Sequence, residues 1–132
     1  MATINNPELT VTTNRPTDRA MVVVSCDVEF TEVEVNAMNL LGLQYTLSCE
    51  VLNKDVLDDD LVITYPAQRF PIARGEARRY EHVVFDTHQY MESLHERLIG
   101  KDKLVAELTL TNEETHADVK ARTEVIEVDL AA

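Results

Sequence analysis

Three residues with metal-binding side chains stand at helical spacing. His88, Glu92 and His95 are separated by four and then three positions, which places them on one face of a helix. Two imidazoles and a carboxylate in such an arc suit zinc or iron. The alternative is that they line the polar edge of an amphipathic helix. A zinc-protease motif is excluded, because no second histidine follows His95 at the required spacing.

A second set of candidate ligands lies in an acidic turn. Four carboxylates fall within the six positions 55–60. Calcium takes about six to eight oxygen ligands, and turns between strands can supply them. The stretch lacks the alternation and the turn glycine of an EF-hand loop, so a solvated surface turn is the alternative. A calcium- or small-ligand-binding domain is therefore the second functional hypothesis, using Asp55, Asp58, Asp59 and Asp60.

The third candidate site is a cluster of arginines in an acidic chain. Four of the 12 basic residues lie within 11 positions, against 24 acidic residues overall. Guanidinium groups beside aromatic rings can grip phosphate or carboxylate groups. In so acidic a body, the cluster favours contact with an acidic patch on a protein partner or a second copy. Simple solvation is the alternative for Arg69, Arg74, Arg78 and Arg79.

Enzyme chemistry has little support. The sequence contains no glycine-rich phosphate loop, nucleophile elbow or CxxC pair. Ser25 and Ser48 fall on the outward phase of predicted strands, where nothing would activate them. The first hypothesis is therefore a non-enzymatic interaction module that acts through protein–protein contacts, forms a homo-oligomer and needs no cofactor.

Length and charge limit the partners and the compartment. A chain of 132 residues suits a single domain that buries about two-thirds of its unfolded surface. The formal charge of −12 repels phosphate backbones and anionic lipids, so neither nucleic acid nor membrane is an expected partner. The first residues lack the basic and apolar segments of a signal peptide. These features predict a cytoplasmic protein.

Alternating apolar and polar residues predict the strands. The pattern predicts a strand over 20–35 with a bulge at Thr31–Glu32, and a second strand over 43–52. Residues 1–8 are expected to be loosely ordered, and 36–42 to be a connection. Antiparallel order follows from short polar turns. The predicted class is all-β, a two-sheet antiparallel sandwich of immunoglobulin-like architecture with seven or eight strands, the others over 9–13, 61–65, 80–85, 104–111 and 118–130.

One helix is expected, at about 87–99. Asp86 and Gln89 match a capping box, and Gly100 is a suitable residue just beyond the helix end. The metal hypothesis for His88, Glu92 and His95 depends on this helix.

The two cysteines fall on the apolar phase of their strands. Cys26 and Cys49 would be out of register in a direct hairpin, and a disulfide is possible only if the strands lie in facing sheets. Free buried thiols are the prediction.

Overall fold

The computed structural model describes residues 1–54, 59–96 and 100–131. The fold is the predicted all-β sandwich of two antiparallel sheets. Within the described residues there are nine strands, two α-helices and a 3₁₀ helix over Arg15–Thr17. The strands and α-helices are β1 (Thr3–Asn14), β2 (Arg19–Glu29), α1 (Glu32–Leu41), β3 (Tyr45–Lys54), β4 (Asp59–Thr64), β5 (Gln68–Phe70), β6 (Tyr80–Tyr90), α2 (Met91–Leu94), β7 (Asp102–Asn112), β8 (Asp118–Arg122) and β9 (Ile126–Val128).

The two sheets differ in size. The first has three strands in the order β1-β2-β6. The second has the order β4-β3-β7-β8, with β5 also paired to β3 and β9 to β7. The prediction of one strand over 118–130 is corrected to two short strands, β8 and β9, because 123–125 leave the ladder between them.

The core lies between the sheets and is built from the apolar phase of the strands. Side chains at every second position of β2 and β3 are at most 5% exposed, as expected when one face of a sheet is covered. Phe30 packs its ring 5.0 Å from that of Tyr45 and 5.5 Å from that of Phe70. The alternating residues of the core include Val22, Val24, Cys26, Val28, Leu47, Cys49 and Val51.

The main helix lies where the sequence had predicted a strand and a connection. The bulge expected at Thr31–Glu32 is wrong, because Thr31 is instead the N-cap of α1. Glu34 donates its backbone N–H to the Thr31 hydroxyl over 3.2 Å, and its carboxylate accepts the Thr31 N–H over 2.8 Å. This reciprocal capping box satisfies two N–H groups that a helix start leaves unpaired. Gly42, with φ of 75°, ends the helix.

The predicted helix over 87–99 is mostly a strand. β6 runs from Tyr80 to Tyr90 and pairs with β2 over eleven consecutive residue pairs. Asp86, expected as the N-cap, lies mid-strand opposite Val23. Only Met91–Leu94 is helical, and residues 97–99 lie outside the described residues. A partner strand of full length outweighs local helix signals, because propensity is a weak prior against tertiary pairing.

The chain start is part of the first sheet. Residues 3–8, expected to be loose, belong to β1 and pair with β2, although the register shifts between Asn5 and Glu8. This bulge contains Asn6, with φ of 51°, and Pro7. A bulge and a proline both interrupt ladder pairing.

The two thiols are buried and unbonded. Cys26 lies on β2 and Cys49 on β3, hence in different sheets, and both are free as predicted. Burial and the nearby Asp27 raise the pKa of Cys26 to about 11, and burial is also the main cause that raises the pKa of Cys49 to about 12.

In the part of the chain that the structure describes, no helix has the length and apolar character needed to cross a bilayer.

Candidate functional sites: a histidine pocket and an open sheet edge

The proposed metal ligands do not share a helix. His88 lies on β6 opposite Met21, Glu92 lies in the short α2, and His95 follows that helix. A strand points successive side chains to opposite faces and has a larger rise per residue than a helix. The i, i+4, i+7 spacing therefore does not bring these three groups together. Across residues 1–54, 59–96 and 100–131, no cluster of three or more histidine, cysteine or acidic side chains has the geometry to hold a metal ion.

Two of the three residues nevertheless line one cavity. Glu92 and His95 face a cavity of about 410 Å³ at the end of the sandwich where α2 begins. Met91 and Leu130, which are 3% and 2% exposed, form its apolar part. The remaining lining residues are Thr17, Asp18 and Tyr90.

The imidazole in this cavity is held by a buried carboxylate. His95 Nδ1 lies 2.6 Å from Oδ2 of Asp102, whose side chain is fully buried. The other carboxylate oxygen accepts the backbone N–H of Glu96 over 2.9 Å and the amide of Asn53 over 3.1 Å. An ionised Asp102 carboxylate only accepts, so its 2.6 Å contact with His95 requires the ring proton to be on Nδ1. Within the described residues, these three donors give the buried Asp102 carboxylate hydrogen bonds in place of the water it has lost.

Asn53 connects this cluster to the second sheet. Its side-chain nitrogen also donates to the backbone oxygen of Leu94 over 2.9 Å, at the end of α2. Asn53 is 1% exposed, and within the described residues its Oδ1 is buried without a hydrogen-bond partner. The cluster therefore ties the end of α2 to the start of β7 and to β3.

Sequence reasoning missed both Asn53 and Asp102. The available signal was their phase: Asp102 alternates in step with Leu104 and Ala106, on the buried side of β7. A polar residue on a buried phase indicates an internal hydrogen-bond network.

A histidine held by a buried aspartate resembles two members of a nucleophilic triad. Of the hydroxyl groups that line the cavity, that of Thr17 donates to the backbone oxygen of Asn14 over 3.2 Å, and that of Tyr90 accepts from the Arg19 guanidinium over 3.1 Å. The geometry supports an imidazole that Asp102 orients at the cavity wall.

The acidic turn is only partly described. Asp55 and Asp58 lie outside the described residues. Asp59 begins β4 and places its carboxylate 3.7 Å from Arg122 of β8, while Asp60 is exposed and lies opposite Asn53 in the ladder. The calcium hypothesis for this turn thus stays a prediction.

The four arginines are spread over residues 69–79, from β5 to the residue before β6. Arg69 is exposed on β5 and Arg74 lies in a turn beside Gly75, whereas Arg78 and Arg79 lead into β6. Arg79 has a partner within its own chain, since its guanidinium lies 3.9 Å from the Glu29 carboxylate. It also lies 5.4 Å from the centre of the Tyr80 ring.

The outer edge of β6 is open. Among the described strands, β6 pairs only with β2, so its other edge has no strand beside it. The register with β2 is continuous over eleven pairs, without a bulge. Tyr80, Val84 and Tyr90 project from the outer face of this strand and are 65%, 52% and 58% exposed. A long and regular edge carrying such residues is a template for another strand.

The opposite edge of the same sheet is protected. β1 has the bulge at Asn5–Glu8 and the proline within it. It also contacts β8 and β7 of the second sheet. Bulges, proline and coverage are the devices that keep an edge strand from pairing. β6 has no proline and no lysine, so the two edges of one sheet differ in kind.

Comparison with known proteins gives structural likeness only. No family model and no curated protein matches the sequence. The X-ray structure of Northeast Structural Genomics Consortium target SoR45 shares 5% identity at a TM-score of 0.43, over 96% of this chain and 84% of that one. Spo0M, a sporulation control protein from Bacillus subtilis, shares 12% identity at a TM-score of 0.39. That match covers 97% of this chain and 49% of Spo0M, so this chain spans about half its length.

Proposed function

We propose that this chain is a non-enzymatic interaction module that assembles with itself through the edge of β6. The observation that carries the proposal is the unpaired, bulge-free outer edge of an eleven-residue strand, within the part of the chain that is described. An added strand gains backbone hydrogen bonds along its length, and side-chain pairs supply specificity.

The composition of the edge supports this function. Tyr80, Val84 and Tyr90 are of the residue types that favour strands, and they are exposed on the same face. The flanking Arg78 and Arg79 add positive charge beside this edge in a chain of net charge −12. Such a local contrast favours association of one copy with another.

The oligomeric state of two matched variants tests the proposal. Val84→Lys places a charge on the β6 edge, and two such charges would meet in a symmetric pair. Val125→Lys makes the same change at a position 45% exposed outside the strands. We expect the native chain and Val125→Lys to sediment as dimers, and Val84→Lys to dissociate at least about tenfold more readily. A monomeric native chain, or equal association of both variants, would overturn the proposal.

We also propose a cytoplasmic location and no nucleic-acid partner. Two unpaired buried cysteines fit a reducing compartment. The net charge of −12 opposes approach to a phosphate backbone.

A further inference from the structure

We infer that two copies join through antiparallel β6 strands with the two-fold axis at Val84, which sets His82 of each copy opposite Asp86 of the other. The inference rests on the proposed function and adds to it the register of the contact and its control by protonation. It comes from the order of side chains along the open edge.

Symmetry leaves few registers. In a two-fold pair that continues the sheet, each residue faces a residue of the same side-chain face. The two-fold axis therefore lies midway between one residue and the same residue of the second copy. Any two residues that face each other lie equally far from this axis along their strands. The outer face of β6 carries Tyr80, His82, Val84, Asp86, His88 and Tyr90.

The register centred on Val84 brings complementary side chains together on the outer face of β6. Val84 meets its own copy, and Tyr80 meets His88. His82 meets Asp86, which gives two equivalent imidazole–carboxylate contacts. On the inner face, Val83 meets Phe85, and both are 6% exposed in the single chain. Opposite charges and apolar pairs directly across a ladder are the stabilising combinations.

The registers centred on Phe85 and Asp86 bring unfavourable pairs together. An axis at Phe85 gains a Tyr80–Tyr90 pair, but it sets His82 against His88 and Val84 against Asp86. An axis at Asp86 sets two aspartates against each other. Like charges directly opposite destabilise a sheet, so the Val84 register is favoured over both.

In this register His82 lies between two carboxylates. Within its own chain, its Nδ1 is already 2.7 Å from Asp27 on β2, and its side chain is 65% exposed. Glu29 is a diagonal neighbour on β2, and the second copy adds Asp86 opposite and His88 diagonally. Arg79, 3.9 Å from Glu29, adds a positive charge beside that of a protonated His88. The three carboxylates Asp27, Glu29 and Asp86 still outnumber these two cationic groups. Protonation of His82 therefore strengthens pairing, and the dimer should tighten as pH falls through the imidazole range.

Cysteine cross-linking tests the register. Val84→Cys chains should form a disulfide-linked dimer on mild oxidation, because partners directly opposite in a ladder lie within disulfide reach. His88→Cys is the control, since positions 88 of the two copies lie far apart in this register. The native thiols are at most 1% exposed and give little background. Cross-linking at Val84 without cross-linking at His88 is the expected result.

Other outcomes overturn the inference in separable ways. Cross-linking of mixed Val84→Cys and Asp86→Cys chains, but not of Val84→Cys alone, would move the axis to Phe85. The proposed self-assembly would then survive while the register failed. A dimer that Val84→Lys does not weaken would lie on another surface, and both the register and the proposed use of the β6 edge would fail.

The direction in which the dimer Kd changes with pH distinguishes the register centred on Val84 from the one centred on Phe85. Between pH 8 and pH 5.5 we expect the dimer Kd to fall about fivefold, from two cross-strand ion pairs of ordinary strength. His82→Gln should abolish this change, and His88→Gln should retain it. An axis at Phe85 predicts weaker association at low pH, because two imidazolium groups would then meet. Weakening on acidification, or an unchanged pH response in His82→Gln, would overturn the inference.

Discussion

Two histidine–aspartate pairs of this protein have nearly the same geometry and different surroundings. His95 lies 2.6 Å from Asp102, and His82 lies 2.7 Å from Asp27. The Asp102 side chain is fully buried, whereas 46% of Asp27 and 65% of His82 are exposed. Distance alone therefore does not distinguish the two pairs, and burial does.

Burial decides what each pair can do. The buried Asp102 carboxylate has no contact with bulk water and accepts hydrogen bonds from His95, Asn53 and the Glu96 N–H instead. These contacts hold α2, β3 and β7 together. In the exposed pair, His82 and Asp27 can replace their mutual hydrogen bond with bonds to water at a small cost in free energy. A surface pair of this kind remains free to take up a new neighbour, which is the role assigned to His82 at the β6 edge.

The largest expected effect comes from removing the buried carboxylate. Asp102→Ala removes the acceptor of the His95, Asn53 and Glu96 donors and should lower the free energy of unfolding by about 3–5 kcal/mol. Asp27→Ala removes the exposed equivalent and should leave the urea midpoint unchanged within error. Equal losses in urea denaturation would show that burial does not separate the pairs. If Asp102→Ala fails to fold, Asp102→Asn, which keeps an acceptor oxygen, should give an intermediate midpoint.

An intermediate effect is expected at the amide that supports the buried pair. Asn53→Ala removes the donor to Asp102 and to the Leu94 oxygen, at a cost of about 1–3 kcal/mol. Ser48→Ala on the same strand is the control, since the hydroxyl of Ser48 is exposed and makes only a 3.4 Å contact with the Thr109 oxygen. Thermal unfolding of both variants measures the difference, and matching melting temperatures would contradict it.

The smallest effect concerns the ionisation of Asp27. Hydrogen bonds from the Asn6 side chain and then from His82 hold the pKa of this carboxyl below its usual 3.8. The ionised form is therefore favoured in the native state. Its small contribution to stability is present above about pH 3.8 and is lost as pH falls through the native-state pKa. Asn6→Gly suits the positive φ of this position and should raise the Asp27 pKa.

Carboxyl NMR titration measures that change. Asn5→Gly is the matched control, because the Asn5 amide donates to Thr3 and not to Asp27. An Asp27 pKa that moves equally in both variants would show that loss of strand order, and not loss of the Asn6 hydrogen bond, is the cause.

Sequence patterns predicted the sandwich and missed where its helices lie. The alternation in β2, β3 and β7 identified the buried faces, because a period of two is a local property. The capping residues Thr31 and Glu34 were also visible in the sequence, but the strand pattern was extended through them. The opposite error occurred at Asp86, where helix-like capping signals stand in a strand that pairs along its whole length with β2.

The candidate sites divide in the same way. His95 was found by its residue type, but its partner Asp102 and the supporting Asn53 come from other strands and were not linked to it. The exposed edge of β6 could not be located, since an edge is defined by the absence of a neighbour among the described strands. Strand order is not encoded in any local pattern.

By itself, the amino-acid sequence determined the all-β class, the acidic charge and the core phase of the strands, since composition and periodicity are properties of neighbouring residues. Only the tertiary structure decided that β6 continues to Tyr90, that it lies at an open edge, and that Asp102 is buried beneath His95. These features depend on contacts between residues distant in the chain, where burial and pairing outweigh local preference.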